Sequence, residues 1–198
     1  MNTLKSNVRP ALSIFLLLTA ITGVAYPLLV TGIAQVAFPN QANGSIVTVD
    51  GKAVGSTLIG QSFTAPKYFW SRPSATGPMA NNGLASGGSN LSANNPALAD
   101  AVKERIAALR AADPGNAQPV PIDLVTASGS GLDPEISLAA AIFQAPRIAR
   151  ERSIEAASVL ALIERHAQRP WLGVVGEPRV NVLALNLALD GKKPGLAP

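Results

Sequence analysis

Two carboxylates, Asp133 and Glu135, lie two positions apart in the sequence. Two carboxyl groups held near each other can divide general acid and general base roles. The run Asp133-Pro134-Glu135 is also typical of a helix start, with an acceptor, a proline in the first turn and an acid near the positive end of the helix dipole. Capping is therefore the favoured interpretation of Asp133, and the helix is predicted to run to about Gln144, before Pro146.

A glycine-rich segment, Ser86-Gly87-Gly88-Ser89, could do a second kind of chemistry. Adjacent glycines can turn backbone N–H groups toward an anion such as a phosphate, so these four residues are a candidate nucleotide site. The central Ser-Gly-Gly is similar to the middle of the ABC-transporter signature Leu-Ser-Gly-Gly-Gln, although the first and fifth positions differ. Ser-Gly-Gly is also common turn chemistry, and an ordinary loop is the favoured interpretation.

Composition limits metal, thiol and nucleic-acid chemistry. The 198 residues include no cysteine, which excludes disulfides, thiolate metal sites and thiol nucleophiles. The single histidine, His166, cannot build a multi-histidine metal site. After Ala37 there are 14 Lys and Arg against 12 Asp and Glu, scattered rather than clustered, which argues against a nucleic-acid partner.

An uncharged stretch near the N-terminus is the strongest structural signal. The forty residues after Arg9 carry no charged side chain, and residues 11–38 are predicted to form a transmembrane helix. Up to Val36 this range contains thirteen Leu, Ile, Val or Phe side chains, whose summed insertion preference is about −4 to −8 kcal/mol. A helix of this length measures about 42 Å and exceeds a hydrocarbon core of about 30 Å. Tilt, a kink at Pro27 or burial of one end against protein would take up the excess.

The charges before the apolar stretch predict its orientation. Lys5 and Arg9 precede it without any acid, so residues 1–10 are predicted to be a cytoplasmic tail. Residues 39–198 would then form a domain outside the cytoplasm. A cleaved signal peptide is the alternative, but its apolar region should be only about 7–15 residues long.

Small and polar residues within the apolar stretch favour packing against other helices over contact with the lipid bilayer alone. Small side chains let two backbones approach closely, and hydroxyl groups can bond across a helix pair. The predicted packing residues are Gly23, Tyr26, Pro27, Thr31 and Gly32.

The rest of the sequence predicts a single mixed domain, so the fold class is α+β with one N-terminal transmembrane helix. Hydrophobic periodicity, turn residues and capping residues each contribute to the element predictions. They are a hairpin over 45–59 around Asp50-Gly51, a strand or buried turn at 68–70, a loop over 71–95, a helix over 96–111 with Lys103, Arg105 and Arg110 on a solvated face, and a short strand at 122–125. A helix capped by Ser153 follows, with a stripe on Ile154, Ala157, Leu160, Ala161 and Glu164 that Val159, Leu162 and Ile163 broaden, so that one side should be well buried. A strand from Val180 that passes into a helix comes last.

Several strings together resemble one family, the C subunit of the bacterial Kdp-type potassium-transporting ATPase. The resemblance covers nearly the whole chain. One departure stands out: where the family has Ser-Gly-Leu-Asp-Pro-His-Ile-Ser-Pro, this chain has Glu135 and Leu138, so no role of that histidine is carried over. The strings are RPA from Arg9, GSTLIGQSF from Gly55, YFWSRPSAT from Tyr68, ASGGSNLS from Ala85, SGSGLDPEIS from Ser128 and EPRVNVLALNLALD from Glu177.

The resemblance implies a heteromeric, high-affinity potassium uptake pump. Its expected partners are a channel-like potassium-translocating subunit, a P-type ATPase subunit and a small single-helix subunit. ATP and potassium are handled by the complex, and no cofactor is assigned to this chain. Two roles are implied for a non-catalytic C subunit: an assembly subunit that stabilises the complex, or a catalytic chaperone that raises the ATP affinity of the ATPase subunit. A domain outside the membrane does not meet cytoplasmic ATP, so assembly is favoured, with the domain capping the potassium entrance.

Polar and aromatic loop residues within the family strings are the candidate contacts for the assembly role, because such residues suit interfaces. Phe63 and Trp70 could equally be ordinary domain core. The candidate partner or entrance contacts are Gln61, Phe63, Trp70, Arg72, Ser89 and Asn90.

Overall fold

The computed structural model describes residues 2–170, 173 and 175–196. Its contacts divide the chain into two compact units, one up to Ser45 and one from Ile46 onward. The first is helical and the second is a mixed body of helices and short strands. The predicted fold class, one apolar N-terminal helix followed by an α+β body, is confirmed.

The first unit is dominated by one long helix. It consists of α1 (Asn2–Ala20), a π-helical segment (Ile21–Ala25) and α2 (Tyr26–Ala37), and a short α3 (Pro39–Ala42) follows. The stretch Ser6–Ala37 has a mean hydropathy of 2.1 and is long and apolar enough to cross a membrane. The limits 11–38 of the membrane segment stay a prediction.

The long helix changes geometry just before Pro27. In the π-helical segment Tyr26 donates its backbone N–H to the carbonyl of Ile21, five residues earlier. A proline has no N–H, and its ring collides with the carbonyl four residues before it. A π turn is one way in which a helix takes up such a residue, so the widened turn accommodates Pro27.

The predicted hairpin is confirmed as β1 (Ile46–Val49) and β2 (Lys52–Ser56), which pair antiparallel. Asp50 and Gly51 join them with φ of 52° and 75°, the two positive values that a type I′ turn requires. The short β5 (Gly195–Leu196) pairs with the other side of β1 and completes a three-stranded sheet.

The helix predicted over 96–111 is confirmed as α4 (Pro96–Ala112). The Asn95 side chain accepts the Ala97 N–H at its start, and Pro96 occupies the first position, where a missing N–H costs little. The predicted loop before it forms no helix or strand over 71–95. The strand predicted at 122–125 is wrong, because Ile122–Leu124 forms a 3₁₀ turn whose Asp123 carboxylate accepts the Ser137 N–H at 2.7 Å.

A second, two-stranded sheet pairs β3 (Glu135–Ser137) with β4 (Arg179–Asn181). The prediction that Asp133 caps a helix is wrong. Asp133 instead accepts the Glu135 N–H at 3.0 Å, and the helix α5 (Leu138–Arg152) begins later, with the Ser137 hydroxyl accepting the Ala140 N–H. The predicted passage from strand to helix after Val180 is confirmed, since β4 runs directly into α7 (Val182–Leu189).

Helix α5 continues through Pro146, contrary to the prediction that it ends near Gln144. An interior proline costs about 3 kcal/mol in a helix. Ala145, Ile148 and Ala149 around it are 1%, 0% and 6% exposed, and burial of this apolar face outweighs that cost.

The helix predicted after Ser153 exists as α6 (Ala156–His166), but its cap was predicted wrongly, and only part of the predicted apolar stripe is buried. Ser153 adopts a left-handed conformation that ends α5, and Glu155 precedes α6 without a side-chain cap. The buried residues of α6 are Val159 and Ile163, whereas Ile154 and Leu160 of the predicted stripe are about two-fifths exposed. The apolar residues of α6 surround the helix too broadly for spacing alone to select the buried side.

The core of the body lies where α5, α6 and α7 pack around the two-stranded sheet. Residues from all of these elements have almost no exposed surface, so this region fixes the positions of the loops described below. Its fully or nearly fully buried members include Phe69, Ile136, Ala140, Ile148, Val159, Ile163, Val180 and Leu185.

Candidate functional site

The segment Tyr68-Phe69-Trp70 is held by side-chain amides from two helices. The Phe69 N–H donates to Asn186 Oδ1 at 2.8 Å, and Asn186 Nδ2 donates to the Phe69 carbonyl at 3.0 Å. Gln144 repeats the arrangement at Trp70, with distances of 2.8 and 3.2 Å. Two carboxamides therefore replace the neighbouring strands that a sheet would supply. The sequence predicted either a strand or a buried turn at residues 68–70. The structure shows a segment with a buried Phe69 that pairs with no strand among the described residues.

Arg147 supports the same segment from inside the body. Its side chain is 2% exposed, donates to the Tyr68 carbonyl at 3.1 Å and to Gln144 Oε1 at 2.8 Å, and also bonds to the Pro66 carbonyl. The guanidinium lies 4.5 Å from the centre of the Trp70 ring. Burial lowers the pKa of Arg147 to about 10, although Asp113 and Glu151 act in the opposite direction. The buried guanidinium is accommodated because its N–H groups are hydrogen-bonded to these oxygen atoms.

Tyr68 is fixed at its hydroxyl end by an ion pair. The hydroxyl donates to Asp190 Oδ2 at 2.8 Å, and Arg152 Nη2 donates to Asp190 Oδ1 at 2.7 Å. Burial acts to raise the pKa of Asp190, but hydrogen bonds from Arg152 and Tyr68 outweigh it, so the pKa lies below its ordinary value of 3.8. The Asp190 carboxylate is therefore stabilised in its charged form in the folded protein.

The lowered pKa of Asp190 makes the stability of the body depend on acid. The contribution is complete above pH 3.8, the ordinary value, and is lost as the pH falls from there through the lower pKa of the folded state. We expect Asp190→Asn to be less stable than the wild type at neutral pH, with the difference shrinking below pH 3.8. Thermal melting of the full chain in detergent from pH 7 to pH 2 measures this. Asp100→Asn, at an exposed carboxylate, is the matched control, and a constant difference for Asp190→Asn would contradict the assignment.

A cleft of about 370 Å³ opens beside the held segment. Four of the six predicted contacts, Gln61, Phe63, Trp70 and Arg72, lie in its walls. Ser89 and Asn90 are not among its lining residues. The lining also contains residues that were not predicted from the sequence. Helix α4 contributes Arg105, Ala108 and Leu109, and the loop after Thr76 contributes Ala80 and Asn81.

The cleft is cationic. Arg72 pairs with Asp133 at 3.0 Å through one nitrogen, while its buried Nε has no hydrogen-bond partner among the described residues. Arg105, predicted to lie on a solvated face, is half-buried and donates to the Val125 carbonyl at 2.8 Å. No carboxylate among the described residues lies within 4 Å of the Arg105 guanidinium, and the cleft lining includes no Asp or Glu.

The glycine-rich segment packs against the turn Ser128–Gly131. The Gly87 N–H donates to the Ser130 carbonyl at 2.7 Å, and the Ser86 hydroxyl donates to the same oxygen at 3.1 Å. A phosphate at Ser86-Gly87-Gly88-Ser89 would have to compete for the Gly87 N–H. The nucleotide site stays a prediction.

Replacing Gly131 tests this packing. Its φ of +68° disfavours any side chain, and an added Cβ would lie 2.5 Å from Thr76 Cγ2 and 2.6 Å from the Gly87 carbonyl oxygen. We expect Gly131→Ala to lower the free energy of unfolding by about 2–4 kcal/mol. Gly129→Ala is the control in the same turn, because nothing lies within 4 Å of an added Cβ there. Equal melting temperatures for the two variants would contradict the packing.

The carboxylates of Asp133 and Glu135 are both engaged in ion pairs. Asp133 pairs with Arg72, and Glu135 pairs with Arg179 at 2.7 Å across the β3–β4 sheet. Within the described ranges no group of three or more His, Asp or Glu is arranged to hold a metal ion.

Comparison with known proteins gives a consistent result. The family described as KdpC, K+-transporting ATPase, c chain, matches residues 8–191. A relative named potassium-transporting ATPase KdpC subunit, from Methylibium petroleiphilum, is 63% identical over 96% of this chain and 100% of its own length. Proteins of the same name from Janthinobacterium sp. (65% identical, 94% of this chain, 99% of the relative) and Polaromonas naphthalenivorans (63%, 98% and 100%) are similar to the same extent.

Proposed function

Because the chain belongs to the KdpC family and is thus a subunit of a K+-transporting ATPase, we propose that it is the non-catalytic assembly subunit of a high-affinity potassium uptake pump. The observation that carries this proposal is the apolar helix Ser6–Ala37, which is long and apolar enough to cross a membrane. A helix of this kind can contact lipid and other membrane helices.

The proposal places the helix in the bacterial inner membrane, among the channel-like potassium-translocating subunit, the P-type ATPase subunit and the small single-helix subunit. Residues 1–10 would be cytoplasmic and residues 39–198 periplasmic, as the charges of Lys5 and Arg9 favour. The helix would pack through its small and polar residues Gly23, Tyr26, Pro27, Thr31 and Gly32.

The exterior domain would contact the channel-like subunit and cap the potassium entrance. Gln61, Phe63, Trp70 and Arg72 share one cleft, which supports their use as a single contact surface. The bonds from Gln144 and Arg147 hold the backbone around Trp70 before any partner binds. A surface fixed in advance loses little conformational entropy on binding, which suits a stabilising subunit. Ser89 and Asn90 remain candidate contacts outside this cleft.

Purification through a tag on this chain tests the assembly role. We expect the channel-like and ATPase subunits to be retained in a fixed ratio from detergent-solubilised membranes, with potassium-stimulated ATP hydrolysis in the eluate. An unrelated single-helix membrane protein with the same tag is the control. Failure to retain either large subunit would contradict the proposal. ATP binding by the isolated chain would instead support the catalytic-chaperone role.

A further inference from the structure

We infer that the cationic cleft receives an acidic segment of a neighbouring pump subunit, in which a carboxylate side chain stands beside a large apolar one. The carboxylate would lie against Arg105 and Arg72, and the apolar side chain against the cleft wall. This inference rests on the proposed function and adds to it the chemistry of the partner.

The charge of the cleft is the first argument. Arg105 is half-buried and bonded only to the neutral Val125 carbonyl, so its positive charge is not balanced by any described residue. Arg72 shares its charge with Asp133, but the absence of any acid in the cleft lining leaves the cleft net positive. A charged group in a partly dry cleft interacts strongly with an opposite charge, and guanidinium groups match carboxylates in geometry.

The apolar wall is the second argument. Four large apolar side chains line the cleft: Phe63, Trp70, Leu109 and Leu124. The exposed fraction of Leu109 and of Leu124 is only 5%. The cleft, with a volume of about 370 Å³, places these apolar side chains beside Arg72 and Arg105. An occupant that carries apolar bulk as well as negative charge would match both parts of the lining.

The rim of the cleft favours a protein as the source of that occupant. Met79 precedes the lining residue Ala80 and is 65% exposed, and Leu84 in the same loop is 99% exposed. Aromatic residues and Arg are enriched in protein–protein interfaces, and the cleft lining combines them in Phe63, Trp70, Arg72 and Arg105.

Photo-crosslinking in the intact complex tests the inference. A benzophenone amino acid at position 108, where Ala108 lines the cleft, is expected to form an adduct with a pump subunit, at a peptide containing Asp or Glu. The same probe at position 107, where Ala107 is exposed on α4 but outside the cleft lining, is the control and is expected to give at least ten-fold less adduct. An adduct with lipid, with a peptide lacking an acid, or no adduct would overturn the inference.

Charge reversal gives an independent readout. We expect Arg105→Glu to reduce the amount of partner subunits retained by the tagged chain at least ten-fold. Lys103→Glu makes the same charge change on an exposed side chain of the same helix and is expected to retain the wild-type amount. If Arg105→Glu retains as much of the partner subunits as the wild-type chain does, the inference is overturned but the proposed function is not. If the wild-type chain itself retains no partner subunits, the proposed function is contradicted. If Arg105→Glu lowers the melting temperature of the chain, the crosslink from position 108 decides.

Discussion

Replacing Arg147 by methionine is expected to lower the free energy of unfolding of the body by about 3–5 kcal/mol. Methionine fills much of the space but has no donor, so the Tyr68 and Pro66 carbonyls and Gln144 Oε1 lose a partner inside the body. Gln144 Oε1 keeps the Trp70 N–H as a donor, whereas the Tyr68 and Pro66 carbonyls lose the Arg147 donor at a cost of about 1–3 kcal/mol each. The cation contact with the Trp70 ring is lost as well.

Urea denaturation of the full chain in detergent, followed by Trp fluorescence, measures this change. Arg165→Met is the control, because Arg165 is exposed and no ion pair or hydrogen bond to another described residue is formed by its side chain. A loss below about 1 kcal/mol for Arg147→Met would mean that the guanidinium does not hold the Trp70 segment. In that case the cleft beside it would not be fixed in advance.

Placing two carboxylates in the apolar helix is expected to abolish its membrane insertion. Leu18 and Val24 flank the middle of Ser6–Ala37, and an Asp near the centre of a helix costs about 2.5–3.5 kcal/mol. In the double variant Leu18→Asp/Val24→Asp, the two carboxylates cost about 5–7 kcal/mol, and the lost preferences of Leu18 and Val24 add about 0.6–1.2 kcal/mol. Together they offset the apolar preference of about −4 to −8 kcal/mol.

Membrane fractionation with an alkaline carbonate wash measures insertion. The wild-type chain is expected in the washed membrane pellet and the double Asp variant in the supernatant or degraded. Leu18→Ala/Val24→Ala, which removes similar apolar bulk without adding charge, is expected to stay in the pellet. Retention of the Asp variant by the washed membrane would show that the helix is held by partner subunits rather than by its own apolarity.

Local signals predicted the elements that depend on a few adjacent residues. The hairpin around Asp50-Gly51 and helix α4 after Asn95-Pro96 formed as expected, because the turn and the cap are satisfied by backbone groups one or two positions away. The apolar N-terminal helix was predictable for a similar reason, since its length and composition are enough to define it.

Other elements could not be predicted from local patterns, because their hydrogen-bond partners lie far away in the sequence. Asp133 resembles a helix cap in sequence, but its carboxylate bonds to the Glu135 N–H and to Arg72, 61 positions away. The segment around Phe69 could not be predicted from its own residues, because Asn186, 117 positions away, supplies its hydrogen bonds. No window of adjacent residues contains this information.

The sequence predicted four of the residues that line the cleft but not Arg105. Gln61 and Phe63 lie close in sequence, as do Trp70 and Arg72, and all four line one cleft. Arg105 was missed because it was assigned to the solvated face of α4. It lies four residues before the buried Leu109 and so on the same side of the helix, a spacing that the sequence contained.

Single-cysteine labelling in cells tests whether the helix crosses the membrane and whether the body lies outside the cytoplasm. The chain has no cysteine of its own, so Asn7→Cys and Lys193→Cys each create one unique thiol at an exposed position. A maleimide that cannot cross the inner membrane is expected to label Lys193→Cys from outside, and Asn7→Cys only after the membrane is opened. Labelling of Asn7→Cys from outside, with Lys193→Cys protected until lysis, would contradict this orientation of the helix.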